Sequence, residues 1–144
     1  MVKNMSALVF PNNWVPYQST NKHATHSFKV NEKELVNEIL ITISNIKPEQ
    51  VSFHINATYE SLITQIYDES KNMSNYQMDE ISGKSGRGFY FVATDKRWNG
   101  NQDDWPCMLR CFYVTETNVI EITVLCFSLN SDTIKQALDF IRSI

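Results

Sequence analysis

Apolar residues recur along the chain in short blocks, and the spacing within each block predicts its element. Ala7-Leu8-Val9-Phe10 is an apolar run stopped by Pro11-Asn12-Asn13 and followed by Trp14. This predicts a strand entering a turn, with Phe10 and Trp14 packed. Residues 15–26 are polar and loop-like, and Ser27-Phe28-Lys29-Val30 has the makings of a second strand. Asn31 with Glu34 three residues on is the capping-box arrangement, and Leu35, Val36, Ile39, Leu40 and Ile43 follow at helical spacing. A helix over 32–42 is predicted, against the pull of β-branched Ile41-Thr42-Ile43 toward a strand.

Pro48 breaks that pattern, and Val51-Ser52-Phe53-His54-Ile55 alternates strictly, which predicts a strand with His54 on its outward phase. From Thr58 to Lys71 the period is helical: Leu62, Ile63, Ile66 and Tyr67 form one stripe. Residues 72–87 are polar and end in glycines, and Phe89-Tyr90-Phe91-Val92-Ala93 is the strongest strand signal in the chain. After the polar loop 96–104, a hairpin is predicted from Pro106–Val114 and Val119–Leu129 around Thr115-Glu116-Thr117-Asn118. A turn centred on Glu116-Thr117 pairs Cys107 with Cys126, Leu109 with Val124, Cys111 with Ile122 and Tyr113 with Ile120. One face is then wholly apolar or thiol, while Arg110–Thr123 and Phe112–Glu121 make the other face mixed. A slip of one residue would scramble both faces. Ser131 or Asp132 then caps a last helix whose Ile134, Ala137, Leu138 and Ile141 face the sheet.

Composition adds limits to this outline. The chain has 144 residues, 42% of them apolar, which is enough for one domain with a real core. A net charge of −3 argues against a nucleic-acid or anionic-membrane surface, because those need basic faces. No apolar run approaches the ~20 residues of a membrane helix. Met1 to Ser6 carries one positive charge with no long apolar segment after it, so no signal peptide is visible, although a trimmed chain would look the same. The three cysteines are too few for a disulfide scaffold. All four glycines (Gly83, Gly86, Gly88 and Gly100) crowd into one stretch.

Most chemical motifs fail on inspection. Gly83-Lys84-Ser85 resembles the end of a phosphate-binding loop, but Met78 stands where the earlier glycine is required. Gly86-Arg87-Gly88 begins a dinucleotide fingerprint that Phe91 ends. We read Gly83, Gly86 and Gly88 as architectural, letting the backbone pass close to a neighbour. His23-Ala24-Thr25-His26 could offer two imidazoles to a metal, but a zinc site needs three or four ligands, so no metal is predicted. A cysteine nucleophile paired with His54 or His23 is the best enzymatic idea, yet all three thiols fall on the apolar face, where a thiol is inert. Cys107 and Cys126, opposed across the hairpin, are either a packed thiol pair or a cross-strand disulfide, depending on compartment. Residues 94–105 form the richest surface: Asp95, Lys96, Arg97, Trp98, Asp103, Asp104 and Trp105 bring two aromatics and five charges together. Trp and Arg are favoured binding anchors, and either Trp98 or Trp105 could equally fold back over the core.

Phe10-Pro11-Asn12-Asn13-Trp14, Gly88-Phe89-Tyr90-Phe91-Val92-Ala93-Thr94-Asp95 and the ending Ala137-Leu138-Asp139-Phe140-Ile141-Arg142-Ser143 resemble the PsbP/Mog-like group of small, often exported bacterial proteins. The resemblance implies an antiparallel sheet flanked by helices, an α/β/α sandwich, and a periplasmic or secreted home if a signal has been trimmed, otherwise a cytoplasmic one. It also implies accessory or binding roles, from a photosystem II extrinsic subunit to a Ran-binding factor, with no shared catalytic apparatus. The expectation is therefore an α+β, non-catalytic binding or accessory domain without a cofactor, contacting a protein partner through loop 94–105. An immunity-type inhibitor of a secreted toxin and a small thiol-dependent enzyme are the alternatives.

Overall fold

A computed structural model describes residues 8–101 and 104–144. Its strands are β1 (Val15–Pro16), β2 (His26–Glu32), β3 (Leu35–Asn45), β4 (Met73–Ser82), β5 (Gly86–Asp95), β6 (Cys107–Thr115) and β7 (Asn118–Cys126). Helix α1 (Val51–Glu69) lies between β3 and β4, and helix α2 (Asp132–Arg142) follows β7. The chain is thus α+β and mainly antiparallel sheet, in the order β1-β2-β3-β7-β6-β5-β4.

The centre of the sheet is the β6–β7 hairpin, in the register its alternation predicts: Cys107 opposite Cys126, Leu109 opposite Val124, Cys111 opposite Ile122, Tyr113 opposite Ile120. Those eight side chains are at most 6% exposed. Burying one such side chain stabilises by ~1.5–3 kcal/mol, so the hairpin's apolar face anchors the larger core. Helix α2 closes that core through Ile134, Ala137, Phe140 and Ile141. The segment Phe10–Trp14 docks beside it. Phe10 lies 5.1 Å and Trp14 5.4 Å from the Phe140 ring, and Trp14 Nε1 donates to Gln136 Oε1 at 2.8 Å. A smaller cluster on the other face joins Leu62 of α1 to Met73, Phe91 and Ala93.

Four sequence expectations are corrected. Leu8, Val9 and Phe10 are not in a strand, and Ala7 lies outside the described residues. The predicted helix 32–42 is the β2–β3 hairpin, with Ile39, Ile41 and Ile43 on the core face. Lys33 (φ 52°) and Glu34 (φ 69°) form its two-residue loop in the left-handed region. Such loops favour Asn-Gly, so Lys-Glu conceals the turn. The predicted strand 51–55 is the start of α1, because Ile55, Thr58 and Leu62 make one buried helical stripe while Phe53 is 66% exposed. His54 therefore sits on a helix. Finally, the polar stretch 72–87 contains β4, whose alternation is interrupted by a bulge between Ser74 and Gln77. The glycine reading agrees with the geometry at Gly88, where a Cβ would stand 1.8 Å from the Phe112 carbonyl oxygen.

The end of β2 also holds α2. Oε1 of Glu32 accepts from Ser131 Oγ (2.7 Å), Thr133 Oγ1 (2.9 Å) and Thr133 N (3.1 Å), and from Asn37 Nδ2 at 3.3 Å. A carboxylate at a helix N-terminus satisfies orphan N–H groups and meets the positive end of the dipole. Burial raises the carboxyl pKa, but the Ser131 and Thr133 donors outweigh it and hold Glu32 below its ordinary value.

Two outcomes follow. Replacing Lys33-Glu34 with Asn-Gly relieves two left-handed non-glycine residues at a cost each of ~1 kcal/mol, so the melting temperature should rise by about 3–6 °C. No rise would show that the turn is unstrained. A depressed carboxyl contributes stability above its unfolded pKa and loses it as pH falls through the folded one. Glu32→Gln should therefore lower the melting temperature at pH 7, and the loss should shrink toward pH 3. A pH-independent loss would rule out the charge as its source.

Candidate functional site

The β5–β6 connection is built on short-range bonds. Asp95 Oδ1 accepts from Arg97 N at 2.8 Å and from Arg97 Nε at 3.1 Å. The Arg97 hydrogen bonds hold the Asp95 carboxyl below its ordinary range, although the pair is exposed to solvent. Asp95 N donates to the Pro106 carbonyl (2.7 Å) and Lys96 N to that of Asn72 (2.8 Å), which ties the base of the loop to the end of α1. Gly100 turns the tip at φ 87°, and Asp104 N returns to the Asn101 carbonyl at 3.2 Å. Asp103 lies outside the described residues.

The two loop tryptophans have different jobs. Trp105 folds back: it is half-buried and donates from Nε1 to the Val36 carbonyl of β3 at 2.8 Å. That bond carries the loop across β6 and β7 to the start of β3. Trp98 stays at the surface, 38% exposed, with its ring 6.3 Å from Phe127 and Nε1 on the Asn101 carbonyl. Beneath the loop, on the face that α1 partly covers, lies a cleft of about 440 Å³. Its floor is Met73, Phe91, Ala93, Met108 and Leu125; Gln65 and Glu69 of α1 form one wall, and Asp95, Arg97 and Trp105 stand at its edge. The volume suits an aromatic or aliphatic side chain or a small molecule. A second, more polar depression of about 580 Å³ lies across Trp105, with Lys29, Glu34 and Glu38.

Loop 94–105 thus brings Asp95, Arg97 and Trp105 to the cleft and, with Trp98 and Asp104, around a further depression of about 390 Å³ beside it, whereas Lys96 is an exposed residue lining neither. The floor was not foreseen from sequence. Its readable signal was the next rung of the hairpin, Met108 opposite Leu125, an apolar pair on the mixed face.

The thiols are packed. Cys107, Cys111 and Cys126 are all buried and free, so Cys107 and Cys126 face each other without a bond. Burial pushes Cys111 and Cys126 up to about 12 and raises Cys107 as well, with the Thr94 hydroxyl 3.7 Å away partly offsetting it. Cys126 donates to the Ser128 carbonyl, and no histidine hydrogen-bonds a thiol among the described residues. His26 packs against Phe10 and Phe28, and His23 is exposed. Among the described residues no three His, Cys, Asp or Glu side chains gather to hold a metal, and no helix is long and apolar enough to cross a membrane. No protein-family model, curated protein or solved structure matches the chain.

Thiol labelling reads this site directly. At neutral pH all three cysteines should react far more slowly than in denaturant, with Cys107 first. One cysteine reacting at the rate of a free thiol would overturn the packed assignment.

Proposed function

We propose that the chain is a non-catalytic binding domain that contacts a protein partner through loop 94–105 and the cleft beneath it. The observation that carries this reading is the cleft itself: an apolar floor of Phe91, Met108 and Leu125, edged by Arg97 and Trp105. Binding energy at such interfaces concentrates where an anchor side chain enters a desolvated pocket ringed by polar groups. Arg97 and Trp98 supply the outward contacts, and Trp105 braces the loop through Val36. Burial of the three thiols weighs against a cysteine nucleophile, since the thiolate is the reactive form and all three are held protonated.

The fold reading goes with it. Helix α2 belongs to the larger core and α1 to the smaller one, as an α/β/α sandwich of the PsbP/Mog-like kind would have them. Two segments on which that resemblance rests, Phe10–Trp14 and the closing helix, pack on each other through Phe140 and Gln136. A group without shared catalytic machinery suits a binding role, though fold analogy alone assigns no partner.

The test compares proteins retained from a lysate by the native chain, by Arg97→Ala/Trp98→Ala and by Met108→Trp, which fills the cleft. The same partner should be lost from both variants while their melting temperatures stay near native. Equal recovery by all three would overturn the proposal.

A further inference from the structure

The sheet ends on one side at β1, two residues long, and on the other at β4, ten residues long. Among the described residues, β4 pairs only with β5, so its outer edge keeps a row of free backbone donors and acceptors. Edges of this length are commonly shortened, covered or guarded by lysine, since they otherwise template strand addition. Here the guard is acidic. Asp79 and Glu80 are exposed on the strand, and the regular ladder runs from Gln77 to Ser82 beyond the bulge.

The helix alongside carries the matching features. Tyr59, Ile63 and Tyr67 are 43%, 42% and 80% exposed, four residues apart on one side of α1, and Tyr76 of β4 is 48% exposed. Tyr59 reaches the Phe89 ring at 4.9 Å, and Phe89 stands opposite Glu80, which puts this stripe on the β4 side of the helix. From Tyr59 to Ser82 the chain carries Glu60, Asp68, Glu69, Asp79 and Glu80 against the single Lys71. That excess exceeds the whole chain's net charge of −3, so the rest of the molecule is slightly basic and the acidity is concentrated here.

We propose that the β4 edge is a second docking site, taking an extended basic segment of a partner protein as an added strand. Main-chain bonds to residues 77–82 would supply the pairing, and alternate Lys or Arg side chains would meet Glu80. The aliphatic stems of those side chains would rest on the α1 stripe, and the apolar side chains between them would point to the opposite face of the sheet, the face of Asp79. A second copy of this chain is the wrong occupant, because β4 against β4 would bring two acidic strands together, and like charges opposed across an interface are unfavourable. The pairing residues 77–82 lie apart from loop 94–105, and the proposal is independent of the function proposed for that loop.

The probes are fluorescein-labelled, end-capped (Lys-Val)4 and (Glu-Val)4 peptides, titrated against the whole chain by anisotropy. The lysine peptide should bind, and Asp79→Lys/Glu80→Lys should weaken it by about tenfold or more at unchanged melting temperature. The glutamate peptide should bind at least about tenfold more weakly, and raising salt from about 50 to about 300 mM should weaken the lysine peptide. Hydrogen exchange should slow at the amides of 77–82 when that peptide is bound. No binding, binding indifferent to the double substitution, protection confined to loop 94–105, or a native dimer dispersed by that substitution would each overturn the proposal.

Discussion

The structure depends on the apolar and thiol face shared by β6 and β7. Because Cys107, Leu109, Cys111 and Tyr113 must all lie on the side of Ile120, Ile122, Val124 and Cys126, the hairpin has one acceptable register. Helix α2 and the Phe10–Trp14 segment pack on that face, and Tyr113 carries its influence further, donating to the Ile144 carbonyl at 2.9 Å. Ser85 N in the β4–β5 turn binds the same carbonyl, so the end of the chain and the glycine-rich turn share one anchor.

The opposite face inherits its chemistry from this constraint. Met108, Arg110 and Phe112 of β6, with Glu121, Thr123 and Leu125 of β7, are what remains after the core has taken the alternate positions. Arg110 pairs with Glu121 and Thr123 and lies over the Phe112 ring, in a polar strip not sealed by α1. Met108 and Leu125 sit where α1 ends and loop 94–105 begins, and so become a cleft floor. The bond from Trp105 to Val36 then turns a long exposed loop into a braced rim. A rim held in place loses less side-chain freedom on contact, which supports the binding role proposed for it.

Charge divides the molecule along a different line. Loop 94–105 mixes both signs and neutralises Asp95 with Arg97, whereas α1 and β4 gather carboxylates with little to balance them. Of the thiol residues only Cys107 reaches the lining of the loop cleft. Burial keeps them protonated, and their place on the core face makes them small apolar fillers.

The amino-acid sequence by itself determined the elements whose pattern and punctuation agree: the β6–β7 hairpin to its register, strand 89–93, the Ser131 cap of α2 and the second half of α1. It misread 32–42 because Leu35, Ile39 and Ile43 lie on one phase of a strand and, with Val36 and Leu40 beside them, also satisfy a helical period. The turn that decides between them uses Lys33 and Glu34, residues with no preference for the left-handed region. It misread 51–55 because five residues cannot separate alternation from a helix whose stripe continues to Leu62, and it passed over β4 because a bulged edge strand need bury little. Loop 94–105 was legible as a cluster of aromatic and charged residues. Which tryptophan braces it, what lies beneath it and where the acidic edge meets the α1 stripe were decided only by the tertiary structure. Each of those joins residues distant in the chain, as Trp105 joins Val36, and local spacing carries no record of such pairings.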